Sequence, residues 1–475
     1  MRTRTILAAT AALFGTTLLS ARAVDWPVWG FDPARSSFNS SEKTLTIANV
    51  HNLRERWQIP LGDVSDSAPI LVQRVRIGRA YRSMLFDTLR NGKTLGIDAT
   101  TGHIVWQFTT SGPNYTHSAP AADSSGKVVY APGVDGRVHK LDAANGHEIH
   151  AQGFPAVITL IPSTEANESP LNLANGYLYA TISGYDGDRA PYDGHVVAID
   201  VNTGKKTVFN SLCSEKHELL GGNGCIQQRS GIWARGGAVV DPSASMGGRI
   251  YAATGNGDFN ANNGGHDYGD SVVSLSADLS EFYGNYTPTN YVQLQHGDVD
   301  LGSTSPAMLP EQGSSQTPWM LVQGGKDAVL KLVNRAALPG VGNELQLVDL
   351  PGALFSSPTV WTAGSQTWIF LGFPNVVQAY RLETKSRQSR LVGIWNSSPG
   401  ETGKEGTTPV VANGILFIAY DGAVFALNAL NGTVLWNSAQ HGKTIGNVHW
   451  ASPIVVNGWV YCSDENDNLT AFSLR

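Results

Sequence analysis

Residues 95–106 read LGIDATTGHIVW, a pattern that predicts two β-strands joined by a tight turn. Apolar and small residues lead up to Asp98, a Thr-Gly turn follows, and a second apolar run ends at Trp106. The same arrangement recurs at three other places in the chain, residues 140–146, 198–204 and 426–436. We infer that the chain is built from copies of one β-rich unit.

A second recurring element consists of one or two small residues, a proline and then apolar residues. Its prolines are Pro69, Pro120, Pro170, Pro306, Pro358, Pro409 and Pro453. Their spacings are 51, 50, 136, 52, 51 and 44 residues, so the 136-residue interval is long enough to contain one more unit. Residues 235–240 (RGGAVV), followed by a strand-like run at 249–253, supply that unit. The chain therefore contains eight units.

Eight units of about four strands each predict an all-β fold, an eight-bladed β-propeller in which every blade has four strands. Residues 55–59 (ERWQI) resemble the last strand of a unit, and residues 469–474 (LTAFSL) resemble a third strand. Pairing of these N- and C-terminal strands in one blade would close the ring and remove an open sheet edge. We expect residues 24–475 to form a single domain.

Composition excludes several classes of protein. The 475-residue chain is 41% hydrophobic and 15% charged, which is too apolar for a disordered protein. Its formal net charge is −6 and no basic run is present, so we expect no nucleic-acid partner.

The first 23 residues have the form of a secretory signal peptide: a basic start, an apolar stretch and a small-residue cleavage site. The expected location of the mature chain is therefore periplasmic or secreted, with no membrane anchor. In an oxidising compartment Cys213 and Cys225 are expected to form a loop disulfide, and Cys462 a buried free thiol. The chain has no CxxCH motif, so no covalently bound haem is expected.

Several stretches together resemble a known family. Residues 25–30 (DWPVWG), 35–39 (RSSFN) and 49–53 (NVHNL), followed by Trp57, resemble the amino-terminal signature of pyrroloquinoline quinone (PQQ) dependent alcohol dehydrogenases. The repeated turn-strand-tryptophan unit is similar to their docking motif, in which each tryptophan stacks between neighbouring blades. Within this family, the motifs most resemble those of haem-free polyvinyl alcohol dehydrogenases. The resemblance extends over essentially the whole mature chain.

The resemblance implies the residues of a catalytic centre. Residues 297–302 (GDVDLG) are similar to the stretch that carries the family's catalytic aspartate, and we favour Asp300 over Asp298. Lys326 corresponds to the basic residue that hydrogen-bonds the quinone oxygens. Trp233 lies near the position of the tryptophan under PQQ, and Trp450 is assigned as a further cofactor contact.

The same resemblance implies a calcium site. Asn256, in the segment 251–257, is similar to the family's asparagine ligand, and Asp300 would share the ion. Asp186 lies where the family has a glutamate ligand, but the loop is longer here, so Asp188 and Asp193 compete for that role. Carboxylate and amide oxygens are suitable ligands for a hard divalent ion.

Two functions follow from these residues. The first is an exported PQQ- and calcium-dependent dehydrogenase that oxidises a small-molecule or polymeric alcohol and passes electrons to a separate acceptor such as a cytochrome c. The second is a non-catalytic propeller for protein assembly or ligand binding. Taken singly, Asp300, Asn256 and Lys326 are each explained by a turn or a solvated surface. The chain also lacks the adjacent cysteine pair of several alcohol-oxidising members.

Overall fold

The computed structural model describes residues 23–222, 224–440 and 444–474. All but the last residue of the predicted signal peptide, residues 1–23, lie outside these ranges. The described strands form eight mainly antiparallel sheets, which are the blades of the predicted propeller. The prediction of an eight-bladed all-β fold is confirmed.

Each of the first four blades contains four consecutive strands. Their bounds are Ile70–Ile77, Ala80–Thr88, Lys93–Asp98 and Ile104–Thr109 in blade 1; Ala121–Ala122, Val128–Pro132, Arg137–Asp142 and Ala156–Val157 in blade 2; Asn172–Ala174, Tyr177–Gly184, His195–Asp200 and Lys206–Asn210 in blade 3; and Val239–Val240, Ile250–Ala253, Val272–Leu275 and Phe282–Thr287 in blade 4. Blade 4 is the unit predicted inside the long interval between prolines.

The other four blades follow the same plan. Their bounds are Ala307–Met308, Met320–Gln323, Val329–Asn334 and Gln346–Asp349 in blade 5; Thr359–Ala363, Gln366–Gly372, Val377–Lys385 and Gln388–Ser397 in blade 6; Val410–Ala412, Ile415–Tyr420, Ala423–Asn428 and Val434–Asn437 in blade 7; and Ile454–Val456, Trp459–Ser463, Asn468–Ser473 and Arg54–Pro60 in blade 8.

A few elements lie outside this plan. Three short strands add to existing blades: Phe38–Asn39 to blade 7, Glu165–Ala166 to blade 3 and Gly340–Val341 to blade 4. The α-helix is Tyr291–Gly297, and short 3₁₀ helices are Val50–Asn52, Ala244–Met246, Ala261–Asn263, Leu301–Ser303 and Ser438–Gln440. Among the described residues, no helix combines the length and the apolar character that crossing a membrane requires.

The two ends of the chain close the ring in blade 8. Arg54–Pro60 pairs antiparallel with Asn468–Ser473, as the sequence predicts. Val24 adds a second connection, because its backbone N–H donates to Asn457 Oδ1 at 2.9 Å and its carbonyl accepts from Asn457 Nδ2 at 2.8 Å. Closure therefore joins residues more than 400 positions apart.

Tryptophans on outer strands connect neighbouring blades. Trp106 of blade 1 donates from Nε1 to the carbonyl of Ala143 in blade 2 at 3.0 Å. A Cβ on Gly146 would lie 2.5 Å from the Trp106 ring, so the turn needs a glycine there. Trp395 of blade 6 makes the equivalent bond to Ala429 of blade 7 at 3.1 Å. The docking interaction implied by the resemblance is present at both junctions.

The amino-terminal segment 24–39 lies across the first strands of several blades, and these first strands contact one another at the centre of the ring. Its backbone carbonyls accept from Ala122 of blade 2, Val240 of blade 4, Val360 of blade 6 and Val411 of blade 7. The segment therefore ties together blades that are not neighbours in the ring.

The cysteines are arranged as the sequence predicts. Cys213 and Cys225 form a disulfide with their Cα atoms 6.0 Å apart. Cys462 is a buried free thiol in blade 8, and its burial raises the pKa of that thiol.

We predict that Trp106→Ala lowers the free energy of unfolding by about 3–5 kcal/mol, because a large buried ring and its hydrogen bond to Ala143 are both lost. Urea denaturation measures the change. Tyr81→Ala, at a side chain that is 61% exposed in the same blade, is the matched control and should change stability little. Equal effects of the two substitutions would contradict the docking role.

Candidate functional site

One cavity contains all six residues to which the sequence assigns a catalytic, cofactor-binding or metal-binding role. Its volume is about 220 Å³. The six residues are Asp186, Trp233, Asn256, Asp300, Lys326 and Trp450. Their roles stay predictions, but their meeting in one place is a property of the fold.

The up-and-down path of the blades explains why these distant residues meet. In each blade, the segment before the first strand and the loop between the second and third strands emerge at the same end of the sheet. Trp233, Asp300 and Trp450 precede the first strands of blades 4, 5 and 8. Asn256 and Lys326 lie in the second-to-third-strand loops of blades 4 and 5. The cavity is therefore at this one end of the propeller.

Asp300 is the central acid of the cavity. It is 4% exposed, its Oδ2 lies 2.6 Å from Lys326 Nζ, and its Oδ1 accepts from the Asn256 backbone N–H at 2.6 Å. Burial raises the pKa of Asp300, although Lys326 opposes that rise. Burial alone would lower the pKa of Lys326, but the carboxylates of Asp300 and Asp298 together outweigh it and the pKa is raised. The buried Asp300 and the partly exposed Lys326 form an ion pair on the cavity wall.

Asp298 is placed differently from Asp300. Its side chain is 66% exposed, and its Oδ1 lies 3.4 Å from Lys326 Nζ. Asp300, which the sequence favours as the catalytic acid, is therefore better enclosed than Asp298.

The wall around Asp300 is closely packed and partly aromatic. A Cβ on Gly255 would lie 2.9 Å from Asp300 Oδ1 and 3.3 Å from Trp233 Nε1, so only glycine fits between them. The rings of Trp233 and Trp450 have their centroids 6.3 Å apart. Lys326 Nζ lies 5.4 Å from the Trp233 ring centre. Tryptophan surfaces and an ammonium group thus share the cavity.

The Asn256 side chain is free to bind a ligand. The residue is 5% exposed, and none of the hydrogen bonds among the described residues uses its side-chain amide. The amide lies on the cavity wall, where a bound group can reach it. With Asp186 and Asp300 it offers the amide and carboxylate oxygens that a hard divalent ion takes. The residues present therefore fit the predicted calcium site.

The three acids that compete for the remaining metal position are placed differently. Asp186 is exposed at the cavity, and Asp188 lines it while accepting from the Tyr192 hydroxyl at 2.7 Å. Asp193 is buried outside the cavity, where its backbone N–H donates to Glu165 Oε1 at 2.9 Å. Asp193 is thus the one competing acid that the fold does not bring to the cavity.

Sequence reasoning missed a second polar group beside the cavity. Glu168 and Glu405 line it, and Glu168 Oε2 lies 2.6 Å from His117 Nδ1. Glu405 Oε2 lies 2.6 Å from Nε2 of His449, and the buried Asp66 is 3.0 Å from Nδ1 of the same ring. A signal for part of this group was present, since Asp66, His117 and Glu168 each stand directly before a small-residue element that leads into a first strand.

Comparison of sequences identifies the family. The family model of the PQQ-type β-propeller domain of glucose, ethanol and alcohol dehydrogenases matches residues 26–336, well over half of the chain. The chain belongs to this family. The resemblance noted in the sequence is confirmed. A second family model, that of outer membrane protein assembly factor BamB, matches residues 362–475. Comparison with curated proteins finds no significant match.

Solved structures of quinoprotein dehydrogenases have a similar fold. The quinohemoprotein alcohol dehydrogenase of Comamonas testosteroni superposes with a TM-score of 0.68 at 15% identity, and the alignment covers 95% of this chain and 80% of the other. A quinohemoprotein alcohol dehydrogenase of Pseudomonas putida HK5 gives 0.66 at 14% identity with the same coverage. A europium-containing methanol dehydrogenase gives 0.62 at 15% identity, with 95% and 98% coverage. At these identities the likeness concerns the fold.

We predict that Asp270→Asn stabilises the metal-free protein at high pH. Asp270 is fully buried against the Asp300 turn, where its Oδ1 accepts from the Leu301 N–H at 3.0 Å. Burial, with a further contribution from the Asp300 charge, raises the pKa of Asp270 to about 8. The folded protein therefore holds this proton more tightly than the unfolded chain does. As a result, the free energy of unfolding falls as pH rises from about 4 to about 8.

Urea denaturation in the presence of a chelator measures this effect. Relative to the wild type, Asp270→Asn should gain about 1–3 kcal/mol in unfolding free energy between pH 5 and pH 9. Asp200→Asn, at a turn aspartate of blade 3 outside the cavity, is the control and should show no such gain. A pH-independent difference for Asp270→Asn would contradict the account.

Proposed function

We propose that the protein is a PQQ-dependent alcohol dehydrogenase. The observation that carries this proposal is the Asp300–Lys326 ion pair on the wall of a cavity that also contains two tryptophans and the Asn256 side chain. Membership of the dehydrogenase propeller family supports it. Trp233 and Trp450 would pack on the flat quinone, Lys326 would bind its oxygens, and Asn256, Asp300 and Asp186 would hold calcium.

The residues of the chain are suited to alcohol oxidation. Bound PQQ supplies the two-electron acceptor for the hydride that leaves the alcohol carbon. Asp300 takes the hydroxyl proton, since a carboxylate within hydrogen-bond reach of the alcohol is the general base that this step needs. Lys326 favours the ionised form of Asp300, and the Asn256 N–H fixes its orientation. The tryptophan rings limit the water around the reacting groups.

The proposal includes an exported protein and a separate electron acceptor. The predicted signal peptide would direct the chain to the periplasm or the exterior. Because the sequence has no CxxCH motif, the electrons would pass to a second protein such as a cytochrome c. The substrate is an alcohol, either a small molecule or a polymer.

A second candidate function is a non-catalytic scaffold for protein assembly. The match of residues 362–475 to the assembly-factor model favours it. That match lies in blades 6 to 8, whereas Asp300, Lys326 and Asn256 lie in the loops of blades 4 and 5. The scaffold function assigns no task to the ion pair or to the free amide, and we therefore rank it second.

Titration with PQQ in the presence and absence of CaCl₂, followed by quinone absorbance and tryptophan fluorescence, tests the proposal. We expect calcium-dependent binding that Lys326→Ala weakens by about tenfold or more, because the only ammonium group lining the described cavity is removed. Lys385→Ala, at a side chain that is 85% exposed in blade 6, should bind like the wild type. No binding at high micromolar PQQ by the wild type would refute the proposal and favour the scaffold.

We predict that Asp300→Asn lowers kcat by about 10²–10⁴-fold while PQQ binding changes much less, because the amide keeps an oxygen ligand but cannot accept the alcohol proton. Steady-state kinetics with an artificial electron acceptor measure kcat, and the absorbance titration measures binding. Asp298→Asn is the matched control two residues away and should retain most of the activity. Equal losses in the two variants would contradict the assignment of Asp300 as the base.

A further inference from the structure

His449 is in contact with Trp450, one of the aromatic residues that line the cavity. Their ring centroids are 3.9 Å apart and the two planes differ by 21°, which is a stacked arrangement. His449 itself does not line the cavity, and the dehydrogenase reaction described above gives it no task. The carboxylates around His449 nevertheless favour its positively charged form.

Both ring nitrogens of His449 face carboxylates. Nδ1 lies 3.0 Å from Asp66 Oδ2 and Nε2 lies 2.6 Å from Glu405 Oε2. The Nδ1 contact is a hydrogen bond and the Nε2 contact is a close ion pair, so both carboxylates favour the doubly protonated ring. Burial alone would lower the pKa of His449, but the two carboxylates outweigh it and raise that pKa to about 9. The ring is therefore an imidazolium at neutral pH.

The other charged groups near His449 are consistent with this state. Glu465 Oε1 lies 3.8 Å from Nδ1 and is itself 3.4 Å from Lys404 Nζ. His117 Nε2 lies 3.7 Å from the Asp66 carboxylate. Burial acts to raise the pKa of Asp66, but the hydrogen bond to His449 and the charges of both histidines lower it. Asp66 therefore stays ionised and holds the imidazolium in place.

Trp450 is held from further directions. Its backbone N–H donates to Asp66 Oδ1 at 3.2 Å, so one carboxylate orients both Trp450 and His449. The Arg235 guanidinium lies 4.8 Å from the Trp450 ring centre and donates to the carbonyls of Asp66 and His117 at 3.2 Å. The indole Nε1 is buried and has no hydrogen-bond partner among the described residues. The Trp450 ring is thus held in one orientation by Asp66, Arg235 and His449.

We propose that His449 is a positioning residue: its imidazolium, clamped by Asp66 and Glu405, holds Trp450 as a rigid stacking surface for a flat, anionic ring ligand in the cavity. This inference rests on the proposed function for the identity of the ligand, PQQ. Loss of the His449 proton removes the positive charge that attracts Asp66 and Glu405, so the stack loosens and the ligand binds less tightly.

The stack itself is tested on the ligand-free protein, independently of PQQ. A protonated imidazole in contact with an indole quenches its fluorescence, so emission of the wild type should rise as pH increases through about 9. His449→Gln should abolish this transition, and Trp450→Phe should abolish it as well. His103→Gln, at an exposed histidine of blade 1, should leave it unchanged. A transition that persists in His449→Gln would overturn the proposal.

The consequence for binding is tested by PQQ titration with CaCl₂ at several pH values. We expect His449→Gln to raise Kd about fivefold or more at pH 7.5, whereas His449→Arg, which restores a planar cation, should recover most of the affinity. The wild-type Kd should rise above pH 9 and that of His449→Gln should not. Thermal unfolding at pH 7.5 checks that both variants are folded.

The outcomes separate this inference from the proposed function. If the wild type binds no PQQ, the dehydrogenase proposal fails, and the fluorescence transition still decides whether His449 and Trp450 form the charged stack. If the wild type binds PQQ and His449→Gln binds it equally well at every pH, the positioning role is refuted while the dehydrogenase proposal stands.

Discussion

Two buried guanidinium groups hold the centre of this propeller together. Backbone carbonyls of several blades converge there, and buried carbonyls need donors. Arg35 and Arg235 supply them, each with five N–H groups in a rigid plane. The carbonyls that accept these hydrogen bonds belong to Trp29, Pro170, Leu171 and Gly236 for Arg35, and to Asp66, His117 and Glu168 for Arg235. Glu168 lines the cavity, and Asp66 and His117 lie beside it. Because Arg235 binds the carbonyls of all three residues, the geometry of the site depends on this hydrogen bonding.

The fold was predictable because its determinants are local. A tight turn with glycine, a strand of alternating residues and a tryptophan at a fixed offset are all readable within a few residues, and their repetition gives the number of blades. The long interval between prolines, together with the strand-like residues 235–240 and 249–253, predicts a further unit, which is blade 4. The parallel additions Phe38–Asn39 and Gly340–Val341 were not predicted, because each depends on contacts with a distant blade.

The site was predictable to a smaller extent. The six residues taken from the family resemblance meet in one cavity because their loops leave the blades at the same end. Asp193 competed with Asp186 on sequence alone, and only the fold places it outside the cavity. The contact of Asp66 with His449 joins residues 383 positions apart across the closure of the ring, so no local pattern could indicate it. A charged cluster whose members meet only when the ring closes can be recognised from the structure but not from the sequence.

The central claim is that the cavity binds a flat quinone and a divalent cation around Asp300. A crystal structure of the protein grown with PQQ and CaCl₂ tests it most directly. The account predicts planar density against Trp450 and Trp233, with a cation bound by Asn256 and Asp300. Such density at another place, or a cavity that holds only solvent at saturating PQQ, would contradict the account.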